Sequence, residues 1–518
     1  MPVESPVAAP SLSPHLEAPG AARPVARTPA ARLAAGIDWL EARALFIAAV
    51  AAAVVLSLAG IPAHLSQDGW LALVAGRLIA HHGIPQHDYL TVMAHGVRWI
   101  DQQWLAQLIM YGLQQLGGLA LMTVFYVLLT GFAFGLAIFA ARRLGAQDRH
   151  IVAMLPLGTF FYLATAVTIR TQGFAYPLFV STLWLLAADA RRPSRRRVYL
   201  VFPMLVLWAN LHGSVTLGAG MGLLYGSVLL LSAQRARGWR GMLGCRRGWA
   251  FVLGSPLCLF VTPYGASVVS YYRATLFNPS FGKLVSEWQP VTSYTLLAVP
   301  LLLLIVGTIW ALGRSGRRTP AFDQILLAVL ALGAIDAVRN ITWFGLAVVV
   351  LLPATIGRLR PAKPAAERRR RLNVTIAGLS VALIVVGIAA VAARPAGWFE
   401  RTYPASALAT VERTVAQQPH TKIFADVRFA DWLVWHDPSL GGHIAYDTSF
   451  ELLSQAQMTT LNTLSQAVIP GHPDPFAPYS LLVLAPANKS VNRIVLARTH
   501  AHLVLRTKKV VIATKAAA

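Results

Sequence analysis

The chain is poor in charged residues and in cysteine, and both shortages narrow the classes of protein to which it can belong. Only 13% of its 518 residues are charged, whereas 56% are hydrophobic. This balance excludes an ordinary soluble globular protein of this length. The two cysteines, Cys245 and Cys258, lie in a polar stretch and in an apolar run, so we expect neither a disulfide nor a zinc framework.

Long apolar runs recur along the chain, and a helix of about 18 or more such residues can cross a hydrocarbon core of about 30 Å. We predict about eleven transmembrane helices, of which the fifth is the shortest. They are placed at residues 44–61, 119–141, 151–169, 174–190, 198–210, 214–233, 249–268, 296–312, 322–338, 342–356 and 374–393.

Basic residues are concentrated after every second predicted span, which explains the formal net charge of +24. The clusters are Arg142 and Arg143, residues 191–197, residues 235–247, residues 314–318 and residues 358–371. Cytoplasmic loops carry such an excess, so we place these clusters and the amino terminus in the cytoplasm. We expect the clusters to contact anionic lipids, and we expect no nucleic-acid partner. Residues 1–43, rich in Ala and Pro, are predicted to be a disordered cytoplasmic tail.

An odd number of spans places the carboxyl terminus outside the cytoplasm. We therefore predict a transmembrane domain at residues 44–394 and a small extracytoplasmic α/β domain at residues 395–518. In the latter, helices are expected at 405–417, within 451–468 and at 490–498, and strands at 422–425, 443–446, 480–484, 502–506 and 510–514. The fold class is thus an α-helical polytopic membrane protein with a small α/β domain.

The first outer loop, residues 62–118, is long and patterned. It begins with Asp68-Gly69-Trp70 at the membrane edge, continues as an amphipathic stretch, and then contains the turn segment HGIPQHDY with Asp88. It ends with WIDQQWL, which begins a second amphipathic helix. A carboxylate held at the membrane surface by two interfacial helices suits an enzyme that acts on a lipid-linked substrate.

Further polar residues fall in the other outer loops, where each costs a few kcal/mol unless it is paired or hydrated. They are Arg170 and Gln172, Asn210 and His212, Tyr264, Glu287 with Trp288, and Asp336, Arg339 and Asn340. Guanidinium groups match phosphate oxygens, and amides match hydroxyls, so a pocket built from this set would suit a phosphate-and-sugar ligand.

Each residue also has a structural alternative. Asp68 and Asp101 could cap helices, and Asp88 could hold a turn together. Arg170 and Arg339 could extend to the interface, and Asp336 could pair with Arg339 one helical turn away. His212 could donate to a carbonyl, and Tyr264 and Glu287-Trp288 could be interfacial anchors. The prediction rests on their joint presence on one side of the membrane.

These residues and their motifs resemble the GT-C superfamily of multi-pass glycosyltransferases, and most closely an uncharacterised bacterial group within it. The resemblance runs from about residue 44 onward and is carried by short motifs: DGWLALVAGRLIAHHGIPQHDYLT, WIDQQWL, IRTQGF, WANLHGS, TPYG, SEWQP, VRNITWF and IFADVRFADWLVWHDPSLGGHIAYDT. Two departures stand out. Asp68 is followed by Gly69 rather than by a second acid, and Gln103 stands where Glu is expected.

The resemblance implies an inverting glycosyltransferase that moves a sugar from a polyprenyl-phosphate donor to an extracytoplasmic glycan, lipid or protein. It assigns Asp68 as the base, with Glu287 as a second acid. The remaining candidates would bind substrate: Arg170, Gln172, Asn210, His212, Tyr264, Arg339, Asn340 and Asp88.

No cofactor is predicted beyond the lipid-linked donor, and no metal motif is indicated, although a divalent metal is left open. The expected location is the bacterial inner membrane, with membrane lipids as partners. The alternatives are a transporter or flippase for lipid-linked saccharides, an O-antigen ligase or polymerase, and a partner protein that has lost activity.

Overall fold

A computed structural model of the chain describes residues 29–60, 65–278, 281, 285–359, 369–465, 476–486 and 489–515. Most of the predicted tail, residues 1–28, lies outside this part. Helix α1 spans Pro29–Ala59, so it begins well before the predicted start at residue 44. The predicted disorder therefore does not extend through residues 29–43, because the run of alanines there continues the helix of the first span.

Helices account for most of the described chain, and each predicted span coincides with one of them. After α1 they are α2 (Gln67–His82), α3 (Trp104–Arg143), α4 (Asp148–Ala166), α5 (Ala175–Arg191), α6 (Val201–Leu211), α7 (Val215–Leu243), α8 (Arg246–Leu257), α9 (Val268–Leu276), α10 (Thr295–Ser315), α11 (Ala321–Asp336), α12 (Ile341–Leu359) and α13 (Arg370–Ala392).

The count of eleven spans is not confirmed. Within the described residues, seven helices are long and apolar enough to cross a membrane, or eight if the bent pair α8 and α9 forms one span. Helices α6 and α11 are too short, and α4 begins with the polar run Asp148-Arg149-His150. Broken and short helices at membrane depth are tolerated where other protein elements cover them.

Helix α12 lies at the centre of the membrane domain. All of its residues from Ile341 to Thr355 are buried, as expected for a helix that is apolar on every side. It packs against α3, α4, α10 and α11. The outward faces of α10 and α13 instead expose large apolar side chains, among them Leu303, Ile309 and Leu383, which suit contact with lipid.

The basic residues lie at one end of the helix bundle. Helices α3, α5, α7 and α12 end at or near basic residues, including Arg143, Arg191 and Arg358, whereas α4 and α11 begin at that end. The opposite ends carry the polar segments around Arg170, His212 and Arg339. The basic clusters and the candidate residues therefore occupy opposite faces of the membrane domain.

The first outer loop forms two helices, as predicted. Helix α2 covers the amphipathic stretch, and α3 begins at Trp104. Within α3 the backbone leaves helical geometry at Gly117 and Gly118, and Gly118 adopts a φ of 64° that favours glycine. This break separates the amphipathic first part of α3 from the membrane-crossing part, which begins near the predicted residue 119.

The carboxy-terminal domain contains helices α14 (Ala396–Phe399), α15 (Ala405–Gln417), α16 (Val427–His436), α17 (Gln455–Ser465) and α18 (Lys489–Thr499). Its strands are β1 (Ile423–Ala425), β2 (Leu481–Leu484), β3 (His502–Arg506) and β4 (Val511–Thr514), in the sheet order β1-β2-β4-β3. The β1–β2 pair is parallel and the other two pairs are antiparallel. The strand predicted at 443–446 is reduced to bridges at Ile444.

This domain is joined to the first outer loop by backbone and side-chain hydrogen bonds. Thr91 and Ile444 form a parallel bridge, and Met93 N donates to Ala445 O at 2.9 Å. The guanidinium of Arg77 on α2 donates to Val434 O at 2.7 Å and to Trp435 O at 2.8 Å. These carbonyls lie in the last turn of α16, whose unpaired carbonyl groups favour a cation. The loop and the domain therefore form one wall above the membrane helices.

Candidate functional site

A cavity of about 630 Å³ opens on the face of the membrane domain opposite the basic clusters, where the helices meet the first loop and the carboxy-terminal domain. It is lined by the start of α2, by the segments before α3, α5, α7, α10 and α12, by helix α9, and by a turn of the carboxy-terminal domain. Its polar and aromatic lining includes Asp68, Gln103, Arg170, Gln172, His212, Tyr271, Glu287, Trp288, Asp336, Arg339, Asn340, Thr448 and Glu451. Seven of the ten predicted site residues are in this set.

Arg170 lies between two acids. Its Nη1 is 2.6 Å from Glu287 Oε2 and 3.6 Å from Asp68 Oδ2, and its side chain is only 7% exposed. Its Nε and Nη2 are buried and have no hydrogen-bond partner among the described residues. The Tyr176 hydroxyl lies beside the guanidinium, and buried donors without acceptors are costly, so Arg170 keeps hydrogen-bonding capacity beyond its two acids.

Glycine at position 69 allows this approach. A Cβ there would lie 2.9 Å from the carbonyl oxygen of Ile169 and 2.9 Å from Leu65 Cδ1. Because the residue before Arg170 contacts the first turn of α2 so closely, any side chain at position 69 would push Asp68 away from the arginine. A second acid directly after Asp68 is therefore sterically excluded in this chain, which explains the first departure from the family pattern.

The two acids differ in protonation. Burial raises the pKa of Glu287, but the Arg170 charge and hydrogen bond outweigh it and hold that pKa below its usual value. Burial raises the pKa of Asp68, and the more distant Arg170 offsets only part of that rise. For Arg170 itself, burial disfavours the charge, but Glu287 and Asp68 raise its pKa, so it stays charged. Asp68 is the better proton acceptor of the two.

Arg339 forms the second cationic group of the cavity. Its guanidinium lies over the Trp288 ring, 4.3 Å from the ring centroid, and it makes no salt bridge within the described residues. Asp336 is exposed and forms no ion pair with Arg339 within the described residues, so the two residues do not form the local pair that the sequence allowed. The turn that carries Arg339 is held by Val338 N, which donates to Gln289 O at 3.0 Å.

His212 presents a hydrogen-bond donor rather than a base. Its Nδ1 lies 3.0 Å from the amide nitrogen of Ser214, which donates to it, and 2.8 Å from Ser214 Oγ. Burial, followed by the charges of Arg339 and Arg170, holds the His212 pKa well below its usual value. The neutral ring therefore accepts at Nδ1 and carries its proton on Nε2.

Three predicted substrate-binding residues do not line the cavity. Asn210 Nδ2 donates to Val206 O at 2.8 Å and Val261 O at 2.9 Å, and its Oδ1 accepts from Trp104 Nε1 at 3.1 Å. Asp88 accepts from Leu90 N at 2.8 Å and from Thr91 Oγ1, which closes its turn as the structural alternative proposed.

Tyr264 is the third of these residues, and it is buried. Burial, followed by the charge of the nearby Asp101, raises the pKa of Tyr264. It therefore lies beside Asp101, in the bend between α8 and α9, rather than at the cavity surface. Asn210 and Tyr264 lie at helix ends and Asp88 lies in its turn, but position along the chain does not determine which way a side chain faces.

Several cavity residues were not foreseen as ligand groups. Gln103, noted only as a departure, accepts a hydrogen bond from Thr171 Oγ1 and lines the cavity. Tyr271 enters from the bent helix α9, and Thr448 and Glu451 enter from the carboxy-terminal domain. The proximity of Thr448 and Glu451 depends on the docking of that domain, for which a single sequence contains no signal. Within the described part of the chain, no group of three or more His, Cys, Asp and Glu residues could hold a metal ion.

No protein-family model matches the chain, and no curated protein matches it. Solved structures do. ArnT from Cupriavidus metallidurans in the apo state gives a TM-score of 0.50 at 17% identity, covering 92% of this chain and 98% of that chain. ArnT bound to undecaprenyl phosphate gives 0.48 at 17% identity, covering 91% and 98%.

The archaeal oligosaccharyltransferase AglB from Archaeoglobus fulgidus, in complex with an inhibitory peptide and a dolichol-phosphate, gives a TM-score of 0.48 at 11% identity. That alignment covers 87% of this chain and 70% of AglB. ArnT and AglB both belong to the GT-C superfamily. The likeness to apo ArnT, which extends over nearly the whole of both chains, confirms the predicted GT-C-like membrane fold with its small carboxy-terminal sheet domain.

Proposed function

We propose that this chain is an inverting glycosyltransferase that moves a sugar from a polyprenyl-phosphate donor to an extracytoplasmic acceptor. The observation that carries the proposal is Arg170, a buried cation at the wall of a large cavity, two of whose donors have no hydrogen-bond partner within the described residues. An anionic ligand oxygen is the natural partner for such donors. The fold shared with ArnT, an aminoarabinose transferase, supports the same kind of reaction.

The donor phosphate would lie between Arg170 and Arg339. Both guanidinium groups line the cavity, and neither the unused nitrogens of Arg170 nor the guanidinium of Arg339 is committed to a carboxylate within the described residues. The Nε2 proton of His212 and the amide of Gln172, whose buried Nε2 has no partner there, would add neutral donors. Fixed donors aimed at the leaving phosphate stabilise the charge that it gains in the transition state.

Asp68 would act as the base. It takes the proton of an acceptor hydroxyl while that oxygen attacks the anomeric carbon in line with the leaving group. The bond between the anomeric carbon and the phosphate oxygen breaks, its electron pair leaves with the polyprenyl phosphate, and the configuration inverts. Glu287 is the second candidate acid, but its close pairing with Arg170 makes it a weaker base. The proposal requires no metal ion.

The proposed orientation places the cavity outside the cytoplasm, because the basic clusters occupy the opposite helix ends. We propose the bacterial inner membrane as the location. A transporter or flippase for lipid-linked saccharides is not favoured, since it would need polar groups through the depth of the bilayer. The cavity residues described above gather at one end of the helices.

The test separates donor binding from transfer. We would purify the full-length protein in nanodiscs, measure undecaprenyl-phosphate binding, and follow transfer from radiolabelled polyprenyl-phosphate sugars to a cell-envelope extract. D68N is expected to lose about 10²-fold or more of the transfer rate while it retains lipid binding and its melting temperature. E412Q, which changes an exposed acid on α15, is the matched control. Full transfer by D68N would refute the base assignment, and no lipid binding by the wild type would refute the donor assignment.

A further inference from the structure

The cavity has a second wall that the proposed reaction leaves unexplained. It is formed by the carboxy-terminal domain, where Thr448, Phe450 and Glu451 line the space opposite the arginines. Glu451 lies in a short 3₁₀ turn, Phe450–Leu452, which packs against α9. This turn lies far along the chain from Asp68 and from both arginines, so only the docked domain brings it to the cavity.

Glu451 differs from the other acids of the cavity. Asp68 and Glu287 each lie within ion-pair distance of Arg170, whereas Glu451 makes no ion pair within the described residues and accepts a hydrogen bond from its own backbone amide. Burial raises its pKa to about 8, and the charges of Asp447, Asp101 and Asp68 add to that rise. A partly desolvated carboxyl group with a single local backbone donor keeps further hydrogen-bonding capacity that a ligand can satisfy.

The position of this carboxyl group is fixed by its turn. Ser449 N donates to Asp447 Oδ1 at 2.7 Å, and Leu452 N donates to Ser449 O at 3.0 Å. The following helix is tied to the first outer loop, because Gln457 Nε2 donates to Met93 O at 2.7 Å. The turn is therefore held against the same loop that carries Asp68, so the two acids keep a defined spacing.

The chemistry around Glu451 suits a sugar ring. The half-buried Phe450 offers an apolar ring for the C–H face of a saccharide, and Tyr271 and Thr448, whose hydroxyl donates to Asp431 Oδ2 at 3.5 Å, line the same cavity. A carboxyl group with a pKa of about 8 is mostly protonated at neutral pH and offers a phosphate no cation, so this wall does not compete with the arginines for the donor. Aromatic surface with a few convergent polar groups is typical of ligand pockets.

We propose that Glu451, Thr448 and Phe450 form an acceptor subsite that binds a hydroxyl-bearing saccharide by hydrogen bonds to the Glu451 carboxyl group. This inference rests on the proposed function, because it specifies the acceptor of that transfer. It assigns Glu451 to acceptor binding and leaves proton removal to Asp68. The reacting hydroxyl would be the one that faces Asp68, and other hydroxyls of the same molecule would contact Glu451.

The experiment measures saccharide binding without turnover. Saturation-transfer NMR would be recorded on the full-length protein in nanodiscs with glucose, galactose, mannose, N-acetylglucosamine, arabinose and their disaccharides, and with glucosamine as a cationic probe. Wild type and E412Q should give the same ring-proton signals with at least one neutral sugar. E451Q should weaken that binding about threefold or more, because an amide does not reproduce the hydrogen-bond geometry of the mostly protonated carboxyl group.

Undecaprenyl-phosphate binding keeps this inference separate from the proposed function. E451Q should bind that lipid as tightly as the wild type does, and in transfer assays it should raise the KM for the acceptor far more than it lowers kcat. Unchanged sugar binding by E451Q, or no signal from any neutral sugar, overturns the subsite. If glucosamine binds and no neutral sugar does, the neutral-saccharide assignment is overturned. If the wild type does not bind undecaprenyl phosphate, the proposed function is overturned instead.

Discussion

Arg170 is the residue whose replacement tests the donor site most directly. Two of its nitrogens are buried and have no carboxylate partner within the described residues, and we expect them to bind phosphate oxygens. A hydrogen bond to a charged group contributes about 1.5–3 kcal/mol, so two such bonds contribute about 3–6 kcal/mol. R170Q should therefore weaken undecaprenyl-phosphate binding by about 10²- to 10⁴-fold. The assay is lipid binding to the nanodisc-embedded protein across a titration of undecaprenyl phosphate.

The same substitution has a structural effect that must be separated from binding. Removal of Arg170 leaves Glu287, at 34% side-chain exposure, without the cation 2.6 Å away. Loss of one partner of a partly buried pair is destabilising because the remaining charge is uncompensated. The double variant R170Q/E287Q removes both charges, so it should recover melting temperature relative to R170Q but should not recover lipid binding.

Two further variants sharpen the result. E287Q removes a negative charge beside the expected phosphate and frees Nη1 of Arg170, so it should bind undecaprenyl phosphate at least as tightly as the wild type. R413Q, which changes an exposed arginine on α15, is the matched control and should leave Kd unchanged. Wild-type lipid affinity in R170Q/E287Q, with the fold intact, would show that Arg170 does not bind the donor phosphate.

Three other changes test separate parts of the description. G69A places a Cβ 2.9 Å from the carbonyl oxygen of Ile169, so it should destabilise the protein by about 1–3 kcal/mol and weaken lipid binding. G307A is the control, because a Cβ there meets open space, and it should change neither the melting temperature nor lipid binding. H212Q, which retains a donor, should keep lipid affinity within about threefold of the wild type, and H212L should lower that affinity about tenfold. The ratio of variant to wild-type affinity should be the same at pH 6 and pH 8, because the histidine is neutral throughout this range. Burial raises the pKa of Asp447 to about 7, so folding of the wild type should lose up to about 4 kcal/mol of stability as pH rises from 4 to 8. D447N should flatten this dependence of melting temperature on pH. An unchanged dependence would contradict the assignment of Asp447 as a buried, protonated acid.

Hydrophobic pattern and charge asymmetry predicted much of this architecture. The break at Gly117 and Gly118 separates an amphipathic helix from a span, and the sequence shows that change in periodicity directly. Helix α15 begins and ends at the predicted residues. The number of spans was harder to predict, because α6 and α11 are apolar but shorter than a bilayer crossing, and composition does not reveal which neighbours cover them.

The candidate site was predictable where a polar residue has no reason to be near a membrane. Arg170, His212 and Arg339 stand out for that reason, and the structure brings all three to one cavity. Asn210 stands out equally in the sequence, yet its amide groups join three helical segments. Glu451 does not stand out at all, since an acid in a polar domain is ordinary. Only tertiary docking distinguishes these cases.

The docking of the carboxy-terminal domain therefore bears on function as much as on stability. Arg77 of α2 donates to the last carbonyls of α16, while the next segment of the loop pairs with the chain at Ile444. Asp68 lies at the start of the same α2, and Glu451 follows Ile444 by a few residues. The contacts between the first loop and the carboxy-terminal domain therefore help to position both Asp68 and Glu451. A shift of the domain would change the distance between the expected base and the expected acceptor subsite, without moving either arginine, and would lower transfer while sparing the donor lipid.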